Sequence, residues 1–66
     1  MTLKENLQTI RKINHLSQEK LAAKIGVSRQ SVSKWENGTS DPSTSNLLAL
    51  AKLYEVSPEE LLREVQ

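Results

Sequence analysis

The sequence predicts an all-α fold, a single compact domain of five short helices. Apolar residues recur at three- and four-residue spacing along most of the chain, as they do on the buried side of a helix. A serine or threonine precedes each of these segments, where its hydroxyl can cap the first turn. The 66 residues include only two aromatic residues and two glycines, which favours packed helices over sheets. A chain of this length forms one domain, residues 1–66, with a modest core that all its helices share.

The first helix is expected over residues 3–14. Leu3, Leu7 and Ile10 repeat at helical spacing and would form its buried side. His15 follows at the position where a glycine usually ends a helix in the left-handed conformation. Histidine tolerates that conformation better than most residues, so we expect the helix to end there.

A second helix is expected over about 18–25 and a third over about 29–37. Ser17 and Ser28 stand directly before them, where their hydroxyls can accept hydrogen bonds from backbone N–H groups of the first turn. Gly38 follows the third helix and is the usual residue type for closing one.

The link between the second and third helices is short and contains Gly26, as a tight turn between two helices commonly requires. Ala22 is small enough for the two backbones to cross at a steep angle. Val32 and Trp35 lie at helical spacing on the third helix and are expected to pack into the core beneath it. These demands together predict a helix-turn-helix centred on about 17–37.

The last two helices are expected over about 44–54 and from residue 57 to near Glu64. The fourth has an apolar side that should face inward, formed by Leu47, Leu50, Ala51 and Leu53. The fifth opens on the sequence SPEE at 57–60, which combines a capping box, a proline at the first helical position and two acids in the first turn.

Composition excludes several classes of protein. The chain has no cysteine and one histidine, so no disulfide scaffold, cysteine zinc site or metal cluster is expected, and no cofactor. It has no glycine-rich phosphate loop and too little length to enclose a water-excluding pocket, so we do not expect an enzyme. No apolar run approaches the roughly 20 residues of a membrane span. We expect a soluble cytoplasmic protein without an evident small-molecule ligand.

Charge is distributed unevenly although the net charge is only +1. Residues 1–34 contain seven basic residues (lysine or arginine) and two acidic ones. Residues 35–66 contain two basic residues and six acidic ones. A basic half and an acidic half indicate a positive surface for phosphates and a different use for the rest. An ordinary mixed surface would explain the same counts equally well.

Four segments carry a resemblance to a known family: LSQEKLA at 16–22, GVSRQSVSKWENG at 26–38, NLLALA at 46–51 and VSPEELL at 56–62. The sequence resembles the phage repressor and Cro type of helix-turn-helix protein, also called XRE-like. The resemblance implies a lambda-repressor-like fold and a sequence-specific regulator of transcription. It also implies a third helix that enters the major groove of double-stranded DNA. A homodimer would read a pseudo-palindromic operator with half-sites about one helical turn apart.

The resemblance assigns base reading to the third helix, with Arg29 and Gln30 as its leading readers. The chemistry agrees, because arginine can bind guanine O6 and N7 with two hydrogen bonds and glutamine can bind adenine N6 and N7. Ser28 and Lys34 lie on the same or an adjoining edge and are also assigned to bases. A solvated polar helix surface is the alternative explanation for all four, and for Lys34 it is nearly as good.

The resemblance assigns phosphate contacts to four residues at or near the ends of the second and third helices: Gln18, Ser31, Asn37 and Thr39. Such contacts position a protein on the duplex but do not choose the sequence. Gln18 could instead serve only to open the second helix. The family also pairs the positions of Arg11 and Glu36 as a salt bridge between the first and third helices, and we prefer that structural role for both.

Two further expectations concern partners. Leu62 and Val65 would form a small apolar stripe on the fifth helix, with Leu61 turned to the core, and could make the dimer contact. Both could equally complete the core.

Ile13 occupies a position that is usually polar in the family and is expected to be exposed. The alternative function is a protein-interaction module or the antitoxin of a toxin–antitoxin pair on the same fold.

Overall fold

The computed structural model describes residues 2–62. Five helices follow one another in this part of the chain: α1 (Leu3–Ile13), α2 (Gln18–Ile25), α3 (Arg29–Asn37), α4 (Thr44–Tyr54) and α5 (Pro58–Leu62). Residues 2–62 contain no strand, so the predicted all-α class is confirmed. The first helix ends one residue earlier than expected, because Asn14 is its C-cap. The predicted end of the fifth helix near Glu64 lies outside the described residues.

Serine hydroxyls cap four of the helices. In each case the serine Oγ accepts a hydrogen bond from the backbone N–H three residues further along, at 3.1–3.3 Å. These bonds satisfy N–H groups that have no partner inside the helix. The capping serines are Ser17, Ser28, Ser43 and Ser57.

Left-handed backbone conformations end four of the helices or follow them closely, at His15, Gly26, Gly38 and Glu55. Gly26 ends α2 with φ 76°, and its N–H donates to the Ala22 carbonyl at 2.9 Å. His15 has φ 57°, as its place after α1 predicted. Glu55 ends α4 with the same φ of 57°, which nothing in the sequence indicated. A non-glycine residue in this region is uncommon, so tertiary packing holds α4 and α5 in this arrangement against a local preference.

The core draws on all five helices. Its buried members are Leu7, Leu21, Ala22, Val32, Trp35, Leu50, Ala51 and Leu61. Leu50 and Val32 are the most completely enclosed, with 0% and 1% of their surface exposed. Because helices of five to eleven residues are marginal alone in water, burial of these apolar sides is what stabilises them.

Tyr54 brings a polar atom into this interior. Its hydroxyl is buried and has no hydrogen-bond partner among residues 2–62. Burial raises the pKa of Tyr54 to about 12, and the negative charge of Glu36 contributes to the same direction while Arg11 partly opposes it. The folded state therefore strongly favours the neutral phenol.

We expect the free energy of unfolding to fall between about pH 10 and pH 12, because the pKa of Tyr54 is higher in the folded state than in the unfolded chain. Below its ordinary pKa of 10.0 the phenol is neutral in both states. Above that pH the unfolded chain ionises first, so the free energy of unfolding falls until the folded pKa is passed. Denaturant unfolding of wild type and Tyr54→Phe at pH values on both sides of 10 measures this effect. An equal loss of stability in both proteins would contradict it, because the lysines titrate in both.

Three large apolar side chains are exposed in residues 2–62. Ile13, Leu48 and Leu62 expose 67%, 54% and 48% of their surface, whereas Leu61 exposes 2%. The expected exposure of Ile13 and the opposite orientations of Leu61 and Leu62 are therefore found. Val65, the second residue of the predicted stripe, lies outside the described residues. Within residues 2–62 no helix has the length and apolar character needed to cross a membrane.

Candidate nucleic-acid interface

The helix pair α2 and α3 presents one side to the core and the other to solvent. Ala22 is 3% exposed, and its carbonyl accepts hydrogen bonds from the N–H groups of Gly26 and Val27 at 2.9 and 3.0 Å. These bonds fix the turn between the helices. Val32 and Trp35 anchor the inner side of α3, so its outer side is held rigidly at the surface.

The outer side of α3 carries a shallow polar concavity, which we call the reading surface. It is lined by Arg29, Gln30, Ser33 and Lys34. Arg29, Gln30 and Lys34 are exposed, and Ser33 is half-buried. The lining contains two cations, two hydrogen-bonding neutral groups and no carboxylate. Such a surface can bind phosphates and can donate to the acceptor atoms of base edges.

Ser33 was missed by sequence reasoning. Residues three and four apart lie on one side of a helix, so the pairs 29/33 and 30/34 share a surface. Applying that spacing to Arg29 and Gln30 would have included Ser33.

Ser28 and Ser31 have structural tasks at the start of α3. The Oγ of Ser28 accepts from the Ser31 N–H at 3.1 Å and lies 3.0 Å from the Ser31 Oγ. The two hydroxyls therefore close the first turn together. Their predicted contacts with DNA stay predictions, and each would be made in addition to this cap.

An ion pair between Arg11 and the buried carboxylate of Glu36 links α1 to α3. Arg11 Nε lies 2.7 Å from Glu36 Oε2, and Arg11 Nη2 donates to Glu36 Oε1 at 2.9 Å. The pair is shielded from solvent, since Glu36 is 5% and Arg11 13% exposed. The hydrogen bonds to Glu36 raise the pKa of Arg11, so the guanidinium is charged at every physiological pH.

Further hydrogen bonds satisfy other donors and acceptors of Arg11 and Glu36, and these bonds and the ion pair together form a polar network. Arg11 Nη1 donates to the Leu16 carbonyl at 2.8 Å, and Gln8 Nε2 donates to the Glu36 backbone carbonyl. Gln18 Nε2 donates to Glu36 Oε1 at 3.2 Å. The beginning of α2 and the ends of α1 and α3 are thus joined through one carboxylate.

Gln18 therefore has a structural contact in addition to its predicted phosphate contact. We expect Gln18→Ala to weaken binding to all duplexes by the same factor, because a backbone contact carries no sequence information. Binding to a preferred and to an unrelated duplex of equal length measures this. A loss confined to one of the two sequences would assign Gln18 to base reading instead.

Asn37 and Thr39 form a small turn after α3. Asn37 Oδ1 accepts hydrogen bonds from the N–H of Thr39, at 2.9 Å, and from the Thr39 hydroxyl. Because both donors fix the amide oxygen, the Asn37 Nδ2 group is directed away from them, with no partner among residues 2–62. Two N–H donors at this end of α3 are left available.

These features define a class of protein. Two helices joined at a glycine, with a polar and basic outer side on the second, form a helix-turn-helix fold. Residues 7–61 match the helix-turn-helix family, and the chain belongs to it.

The transcriptional activator BcrR of Enterococcus faecalis is 40% identical over 62 residues, which cover 94% of this chain and 30% of BcrR. The uncharacterized transcriptional regulator MJ0272 of Methanocaldococcus jannaschii is 39% identical, with 89% of both chains covered. A crystal structure of the P22 c2 repressor with a synthetic operator superimposes with a TM-score of 0.89, at 35% identity and 96% coverage of both chains. The chain thus spans under a third of BcrR but nearly all of MJ0272 and of the repressor chain in that crystal structure.

Proposed function

We propose that this chain binds double-stranded DNA sequence-specifically and regulates transcription in the manner of a repressor, with α3 in the major groove. The observation that carries the proposal is the reading surface, an exposed row of hydrogen-bonding side chains without a carboxylate on a rigidly anchored helix. We accordingly propose a cytoplasmic location, as expected of a DNA-binding regulator of this family.

The dimensions of α3 support this assignment. Its nine residues give a length of about 13 Å, close to the roughly 12 Å width of the major groove. With Arg29 and Gln30 at its N-terminal end inside the groove, its C-terminal end would reach a bordering phosphate chain. The likeness to a repressor solved in complex with a synthetic operator supports DNA binding.

Binding measured against salt concentration tests the proposal. Lysine and arginine contacts release condensed counterions, so log affinity should fall linearly with log salt, with a slope of about −0.9 for each phosphate neutralised. The sequence-specific part should appear as tighter binding to one duplex than to others at the same salt. Salt-independent or undetectable binding would contradict the proposal and favour the alternative of a protein-interaction module.

The active form is proposed to be a homodimer on a pseudo-palindromic operator. One α3 contacts only a few base pairs, too few for specificity in a genome, and two-fold symmetry doubles the site. Leu62 is 48% exposed on α5. On the same helix, Leu61 helps to line an apolar groove of about 220 Å³ together with Ile13 and Val56. An isologous contact between two copies of the chain at α5 would bury both the Leu62 side chain and this groove.

Sedimentation with and without a palindromic duplex tests this contact. Leu62→Lys should leave the fold intact, because the side chain is half exposed, but should prevent two copies from binding the duplex cooperatively. Lys52→Glu, a charge change on α4, is the control. Cooperative occupation of both half-sites by Leu62→Lys would place the dimer contact elsewhere.

A further inference from the structure

The N-terminal helix reaches the surface at the end of α3, through Lys4. The stem of Lys4 lies over the backbone of Gly38, where a Cβ on the glycine would come within 3.2 Å of the lysine Cδ and 3.8 Å of its Nζ. Gly38 has φ 83° and ends α3, so the absence of a side chain there both permits this turn and leaves room for the lysine.

We infer that Lys4 and Asn37 together bind a phosphate of the DNA backbone. This inference rests on the proposed function and adds to it a contact from α1, which lies outside the helix-turn-helix. Lys4 brings a positive charge next to Gly38, and the residue before Gly38, Asn37, brings its Nδ2 group. The two side chains supply a charged and a neutral N–H donor to one anion, and we call them the phosphate clamp.

No carboxylate of residues 2–62 forms an ion pair with Lys4, although its positive charge also contributes to lowering the pKa of Glu5. Lys4 is exposed, and the ion pair within residues 2–62 is formed by Arg11 and Glu36. The neighbouring Glu5 is occupied, since its carboxylate accepts from the N–H and hydroxyl of Thr2 at 3.3 and 3.0 Å. Those bonds lower the pKa of Glu5, and they keep its charge at the start of α1.

The clamp also lies in line with the reading surface. Gly38 follows Lys34 by four residues, so the two share one side of the helix. The N–H of Gly38 donates to the Lys34 carbonyl, which continues the helical geometry up to the clamp. With the start of α3 in the groove, a phosphate bordering the groove would lie about 13 Å further along, at this end.

Lys4→Gln, compared with Lys52→Gln, tests the clamp. Lys52 is an exposed lysine of α4 beside Ile25 and Leu53, away from the reading surface. Affinity is measured by fluorescence anisotropy over a series of salt concentrations, for the preferred duplex and for an unrelated duplex of equal length. Thermal unfolding of each variant verifies its fold, and no change is expected for either.

We expect Lys4→Gln to weaken both complexes by the same factor, about three- to tenfold at low salt. The salt slope should become shallower by about 0.9 for each bound copy, and Lys52→Gln should match wild type. A wild-type slope in Lys4→Gln would overturn the clamp alone, as would a loss confined to the preferred duplex. If wild type itself showed no salt-dependent binding to either duplex, the proposed function would be overturned together with the clamp.

Discussion

Replacing Arg29 or Gln30 with alanine is expected to weaken binding to the preferred duplex by about 1–3 kcal/mol each, or about five- to 150-fold. Both side chains are exposed on the reading surface near the start of α3, where the helix would enter the groove. Each can make two hydrogen bonds to a purine, and its loss leaves those base acceptors or donors unpaired. Preference should relax at one base pair of each half-site for each variant.

Lys24→Ala is the matched control for Arg29→Ala. Lys24 is an exposed cation on α2 that lies beside Leu53, on another side of the molecule. Competition binding against duplexes with single base changes gives both the affinity and the altered preference. If both α3 variants bound the preferred duplex as tightly as wild type, the reading surface would be wrongly assigned.

Glu36→Ala is expected to have the largest effect on stability, about 3–5 kcal/mol. The substitution leaves the shielded guanidinium of Arg11 without its carboxylate and removes the acceptor of Gln18. A domain of this size has a free energy of unfolding toward the low end of the usual 5–15 kcal/mol, so much of the folded population would be lost. Urea unfolding followed by circular dichroism measures the change.

The double variant Arg11→Met/Glu36→Leu distinguishes the cost of an unpaired buried charge from the cost of lost side-chain packing. Replacing both partners removes the uncompensated charge, and apolar residues of similar volume often restore stability. We expect the double variant to be more stable than Glu36→Ala alone. A cost below about 1 kcal/mol for Glu36→Ala would mean that the carboxylate is not the buried partner of Arg11.

Local signals explain why most helix boundaries could be predicted. Ser17, Ser28 and Ser43 mark helix starts by a bond to a backbone N–H three residues away, and Gly26 marks an end by its left-handed conformation. Each signal depends on neighbours within a few residues, so the sequence carries it directly. Glu55 shows the limit of this reasoning, because its left-handed conformation follows from the packing of α4 against α5 and not from its residue type.

The polar network shows the same limit in the functional site. The pairing of Arg11 with Glu36 was expected from a resemblance, but the bonds from Gln8 and Gln18 to Glu36 join residues 28 and 18 positions apart. Spacing along one helix cannot predict such contacts. The approach of Lys4 to Gly38 is also a consequence of how α1 packs against the end of α3, and no sequence motif indicates it.

Selection of bound sequences from a random pool of duplex DNA tests the central claim most directly, because it requires no knowledge of the operator. We expect one enriched motif with two inverted half-sites, their centres about one helical turn or 10–10.5 base pairs apart. The Arg29→Ala and Gln30→Ala proteins should each relax one position of every half-site. Recovery of no enriched sequence by the folded wild-type protein would contradict the account.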